Sequence, residues 1–172
     1  MSQPRSKPVG NNVHFQAPTK TYITVSPTLW SVLSGVAFYG LSYYFFVLGG
    51  TRFSVLTFLL LMLAGAIVGV VTFWGSTWLK ARLLEHEDVD KNAIIGSITI
   101  GRVAFLLLVP VVAVVGFLHF GLGLYLVGLA LVAQKLIEGI SLSMVRGIPI
   151  ATSLIASFVV AIFWFIPLLF FV

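Results

Sequence analysis

Five apolar stretches, each long enough to cross a bilayer, follow one another in this chain with only short breaks between them. They cover about residues 29–48, 53–79, 93–118, 122–145 and 150–172. At about 1.5 Å per residue the first reaches about 30 Å, the thickness of a hydrocarbon core. A soluble core does not account for such a succession. The chain reads as an all-α membrane protein, a bundle of about five transmembrane helices behind an extended polar N-terminal tail. Only 9% of its residues are charged, against about 25% in soluble domains. Length fits a single membrane domain over residues 29–172.

Residues 1–28 carry Pro4, Pro8, Pro18 and Pro27, with Gly10, Asn11 and Asn12 between them. They lack the apolar run of a signal peptide. A segment so poor in apolar residues cannot bury a core of its own. We expect it to lie extended against another subunit or the membrane surface.

The connections are short. Gly49, Gly50, Thr51 and Arg52 join the first two spans, and His119–Gly123 and Arg146–Pro149 make later turns. The polar stretch from Lys80 to Asn92 reads as a loop. The fourth span is less regular. Its uninterrupted apolar part, 122–133, is too short to cross alone. It crosses if Gln134, Lys135 and Glu138 lie inside the membrane; otherwise it continues as an amphipathic stretch at the interface. The full crossing is favoured, because residues 150–172 need a partner span arriving from the opposite face.

Basic residues set the orientation. With five crossings, Arg5, Lys7, Lys20, Lys80, Arg82, Lys91 and Arg146 share one side, and Arg52 stands on the other. The positive-inside rule then puts the N-terminus in the cytoplasm and the C-terminus outside or in a lumen. Trp30, Trp74 and Trp78 fall near the cytoplasmic interface, as an aromatic belt does. The net charge of +5 is explained by this arrangement, and nucleic acid is not expected as a partner.

Arg102, Lys135 and Glu138 sit within the spans. A charge at the hydrocarbon centre costs about 2.5–3.5 kcal/mol on insertion scales, so such residues pair, line a cavity or carry function. Counting from the span centres, Arg102 lies about 6 Å and Glu138 about 7 Å toward the cytoplasmic side. Lys135 and Gln134 precede Glu138 by three and four residues, on the same helical face. We therefore expect a charge network of Arg102, Gln134, Lys135 and Glu138, with a direct Arg102–Glu138 bond. Three other uses remain open: Lys135 reaching for the interface, a site for an anionic lipid phosphate, and an ion-coupled transport site.

Small residues recur four apart: Gly65 with Gly69, Ser97 with Gly101, Gly139 with Ser143, Ser153 with Ser157. Such pairs let helix backbones approach closely. Packing within the bundle is the favoured use, ahead of dimerisation through Gly65 and Gly69.

The chemistry-bearing residues are few. The chain has no cysteine, which excludes disulfides, thiolate nucleophiles and cysteine-ligated metals. There is no Asn-x-Ser/Thr acceptor, P-loop, Gly-x-Ser-x-Gly or His-Glu-x-x-His. His14 and His86 fall on one side of the membrane and His119 at a helix end on the other, a poor arrangement for haem. Glu85, Glu87, Asp88 and Asp90 lack the glycine turn and closing glutamate of a calcium loop, and read as a solvated face or an acidic patch for a cytoplasmic partner. No catalytic residue, metal or cofactor is expected.

The layout resembles the Ypt-interacting-protein (Yip) family. These are five-span proteins with a polar cytoplasmic N-terminus and a last span ending near the C-terminus. The likeness covers residues 29–172 in topology and is strongest over 78–110. There an amphiphilic loop is followed by Gly96, Ser97 and Gly101 at a helix start, and by Pro110 further along. The Asp-Leu-(Tyr)-Gly-Pro motif of the eukaryotic family's tail is absent, and Arg102 stands where an aromatic is more usual. The resemblance implies a non-enzymatic adaptor in membrane trafficking or beside a transport complex. We accordingly expect an adaptor or accessory subunit whose partners are membrane lipids, anionic ones included, and other membrane protein subunits. The alternative is a small transporter working through Arg102, Lys135 and Glu138.

Overall fold

A computed structural model describes residues 26–52, 54–87 and 89–165, and among these there is no strand. Five helices follow in order: α1 (Pro27–Leu48), α2 (Val55–Leu83), α3 (Lys91–Leu118), α4 (Phe120–Arg146) and α5 (Ile150–Phe165), with a 3-10 turn at Glu85–Glu87 between α2 and α3. The first four are long and apolar enough to span a membrane. Over its described residues α5 is shorter. Of the expected tail, residues 1–28, Pro27 and Thr28 already belong to α1, while residues 1–25 and the end of the expected fifth span, 166–172, lie outside the described residues.

Local chemistry sets the helix ends. Pro27 opens α1, where a missing N–H costs nothing because the first turn has no acceptor for it. The Ser54 hydroxyl accepts from the Thr57 N–H at 3.1 Å and caps α2. Asp90 caps α3 by accepting from the Asn92 N–H at 3.2 Å. His119 alone separates α3 from α4, and its Nδ1 accepts from the Leu122 N–H at 3.4 Å. Gly147 ends α4 at φ 65°, the left-handed conformation that glycine adopts without a side-chain clash. The Ser143 hydroxyl donates to the Ile148 carbonyl at 2.7 Å and closes the turn toward α5.

The expected 80–92 loop is shorter at both ends, with Lys91 and Asn92 already in α3. α2 continues through Lys80 to Leu83, so the first residues of the expected 80–92 loop are helical. α4 is one unbroken helix through Gln134, Lys135 and Glu138, and Phe120–Met144 is long and apolar enough to span a membrane.

Helix α3 packs along α4, α1 along α2, and α5 against α4 and α2. The α1–α2 contact is backbone on backbone: Gly35 meets Gly65, and Gly69 meets the Ser31 carbonyl. Gly101 of α3 faces Gln134 and Glu138 of α4, while Gly139 faces Leu154 of α5. Gly65, Gly69, Gly101 and Gly139 thus serve contacts inside the bundle. Ser97 is buried with its hydroxyl on the Ile94 carbonyl. Ser153 donates to the Gly139 carbonyl at 2.6 Å, tying α5 to α4.

The burial pattern is inverted relative to a soluble protein. Along α2, Leu56, Leu59, Leu60, Leu63, Ile67 and Val71 are exposed, whereas Thr72, Ser76, Thr77 and Lys80 are buried. Lipid is as apolar as leucine, so the outer face can be hydrophobic and polar groups turn inward to find partners. Two apolar clusters fill the interior. One contains Phe38, Tyr39, Phe45, Phe105 and Leu131; the other contains Phe73, Ile94, Ile98 and Leu142. The charged residues fall between them. On α3, Arg102 lies between Ile98 and Phe105; on α4, Gln134, Lys135 and Glu138 lie between Leu131 and Leu142.

Candidate functional site: a buried ionic network

Glu138 is the centre of the network. Its Oε2 accepts from Lys80 at 3.1 Å and from Lys135 at 3.0 Å. Its Oε1 accepts from Lys135 at 2.9 Å and from Gln134 at 3.0 Å. Glu138 and Lys80 are 0% exposed and Lys135 is 2% exposed. Lys135 and Gln134 reach Glu138 because they precede it by three and four residues on one helix. Lys80 comes from the last turn of α2, 58 residues away in sequence.

The expected direct bond between Arg102 and Glu138 is replaced by a different arrangement. Arg102 Nη1 donates to Ser34 Oγ at 2.8 Å, and Nη2 donates to Thr72 Oγ1 at 3.0 Å. The guanidinium still stands in the field of Glu138. The reason for the change is acceptor capacity. A carboxylate offers about four acceptor sites, and two lysine contacts from Lys135, one from Lys80 and one from Gln134 occupy them. Arg102 has a planar fork of donors, and two hydroxyls on different helices match it.

Those hydroxyls are themselves held. Ser34 donates its proton to the Ser31 carbonyl at 3.0 Å, and Thr72 donates its own to the Gly69 carbonyl at 3.2 Å. Each therefore turns lone pairs toward Arg102. Ser31 and Gly69 also face each other where the backbones of α1 and α2 come into contact. The arginine thus ties α3 to the contact between α1 and α2, and Lys80 ties α2 to α4. Gly101 completes the site: without a side chain there, α3 comes against the Glu138 methylenes.

The structure brings together Gln134, Lys135 and Glu138 as expected, with Arg102 alongside. Lys80, Ser34 and Thr72 were missed. Lys80 was counted as a loop residue on the cytoplasmic side, and it is a buried helical one. A signal for it exists: Gly65, Gly69, Thr72, Ser76 and Lys80 recur at spacings of three and four, one face of a helix.

The remaining singled-out residues lie apart from the network. His86 is exposed and His119 caps α4. His14 and Asp88 lie outside the described residues. Arg82 and Glu85 form an exposed ion pair at 3.8 Å. Arg82 also stacks on Trp78, and Lys91 on Trp74.

Comparison with family models, with curated proteins and with solved structures yields no match.

Proposed function

We propose that this chain is a non-catalytic multi-pass membrane protein that serves as an adaptor or accessory subunit of a larger membrane complex, in trafficking or transport. One observation carries this reading. The charged groups of the network are spent on holding helices together: Lys80 binds α2 to α4, and Arg102 binds α3 to α1 and α2. All of them are closed off from solvent, as suits a scaffold better than a solute path. The Yip-like layout points the same way, with a cytoplasmic N-terminus, a fifth crossing and a tail lying along a partner or the membrane surface.

The test is gentle extraction of the full chain from its native membrane, followed by mass measurement of the intact particle. The adaptor reading expects a second membrane protein in stoichiometric amount. A lone monomer or homodimer that moves a solute into liposomes would instead establish the transporter alternative at Arg102, Lys135 and Glu138.

A further inference from the structure

The buried network holds more positive charge than its one carboxylate balances, and Gln134 Oε1 beside it is a buried acceptor with no hydrogen-bond partner. Two lysine ammoniums, Lys80 and Lys135, share the single carboxylate of Glu138. That leaves positive charge in excess even before Arg102 is counted. Among the described residues the other acids are Glu85, Glu87 and Asp90, and none of them lies in α1–α5. Charges taken out of water need compensation by partners of opposite sign.

A second observation lies on the same helix face. Ser76 is 0% exposed and its hydroxyl has no hydrogen-bond partner. Other serines and threonines of these helices donate to a carbonyl of the preceding turn: Ser31, Ser42, Thr77, Thr99 and Ser157 all do. Ser76 does not. It follows Thr72 by four residues and precedes Lys80 by four, so it sits between the partner of Arg102 and the partner of Glu138. On α1, Trp30 is one turn before Ser34, and its buried indole N–H also lacks an acceptor. A buried donor left without an acceptor is costly, and Ser76 is such a donor on the helix face that carries Lys80.

We propose that the α1–α2–α3 seam around Ser76, Lys80 and Arg102 binds a phosphate-class oxyanion at the end of the bundle that carries the 84–90 loop. Such a group supplies several acceptor oxygens and negative charge together. Lys80 uses one ammonium proton on Glu138 and has others to offer. Ser76 gives a hydroxyl donor between the two cations. Ser76, Lys80 and Arg102 are buried in this structure, so an anion reaches them only when the helices around them move apart. Two sources share this chemistry: the phosphate of an anionic lipid headgroup and free inorganic phosphate. The proposal is independent of the adaptor reading. It is tested on the purified chain alone, where the adaptor reading is tested by what accompanies the chain from its membrane.

The experiment uses the full chain in nanodiscs of phosphatidylcholine, with and without one lipid in ten as phosphatidic acid. Native mass spectrometry counts retained phosphatidic acid, and a parallel titration with inorganic phosphate follows thermal stability. We expect saturable binding of one oxyanion in one of the two arms, and the arm identifies the source. Lys80→Gln and Ser76→Ala should each weaken it, the lysine change by about tenfold or more, as for loss of a hydrogen bond to a charged group. Ser76→Ala removes only an unpartnered hydroxyl, so it keeps the test valid where Lys80→Gln fails to fold. Arg82→Gln, an exposed change at the same end, should leave binding unaltered. Absence of saturable binding in both arms by folded protein would overturn the proposal. So would an equal loss in Arg82→Gln, which would mean general surface attraction. Finding instead that a partner protein's carboxylate cross-links to Lys80 would likewise end it.

Discussion

Lys80 and Glu138, 58 residues apart in sequence, meet at 3.1 Å with neither side chain exposed. Their contact joins the last turn of α2 to the middle of α4, and it makes the carboxylate a shared acceptor. Lys135 already satisfies both oxygens of Glu138 from within α4. The two members of the Lys80–Glu138 pair are therefore unequal, and their substitutions should not be equivalent.

Glu138→Ala should be the more damaging change. It leaves Lys80 and Lys135 buried without a carboxylate and should cost about 3–5 kcal/mol, the scale for breaking a buried pair from one side. Lys80→Met leaves Glu138 paired with Lys135 and should cost about 1.5–3 kcal/mol, the scale of one hydrogen bond to a charged group. Unfolding of each variant in mixed micelles measures the difference. Equal losses would mean that Lys135 does not hold Glu138 independently.

Arg102→Lys keeps the charge and should still destabilise the bundle. A lysine ammonium lacks the planar fork that spans Ser34 and Thr72. Loss of one of the two bonds should lower stability by about 1.5–3 kcal/mol. Ser34→Ala in the lysine background should then be nearly silent if Ser34 is the partner given up. A double-mutant cycle between positions 34 and 102 reads this directly.

Gly35→Ala should separate α1 from α2, because the new methyl would collide with the Gly65 carbonyl. The cost should be about 1–3 kcal/mol, as for other overpacked sites. Gly75→Ala and Gly96→Ala serve as controls, since nothing lies within 4 Å of a methyl at either. Thermal denaturation should rank Gly35→Ala well below both.

Single cysteines should report the topology. Substituted at Ser6 and Asn92, they should label from the cytoplasmic face; at Thr51, from the opposite face. A cysteine placed after Val172 should label with Thr51 if the chain crosses five times. Labelling of that last site together with Ser6 would mean four crossings.

Much of this architecture is legible in the sequence. Apolar runs of bilayer length force helices, since an unpaired backbone group in lipid is too costly to tolerate. Gly65 and Gly69 announced a close helix contact by spacing alone, and Gln134, Lys135 and Glu138 announced a common face. What spacing does not carry is which neighbour a face meets. Gly65 and Gly69 found Gly35 and Ser31, and no local pattern in α1 names that partner. Lys80 was hidden for a similar reason. A lysine at the end of a span reads as an interfacial cation, and only the tertiary arrangement that brings Glu138 within reach of its long side chain turns it inward.

The sequence by itself therefore determined the medium, the helical class, the approximate spans and the presence of buried charge, because each follows from local hydropathy and helical period. The tertiary structure decided the pairing. It sent Arg102 to Ser34 and Thr72, and gave Glu138 to Lys80 and Lys135. The physical reason is saturation: a carboxylate has only about four acceptor sites, and which donors reach them first depends on how the helices are set against one another.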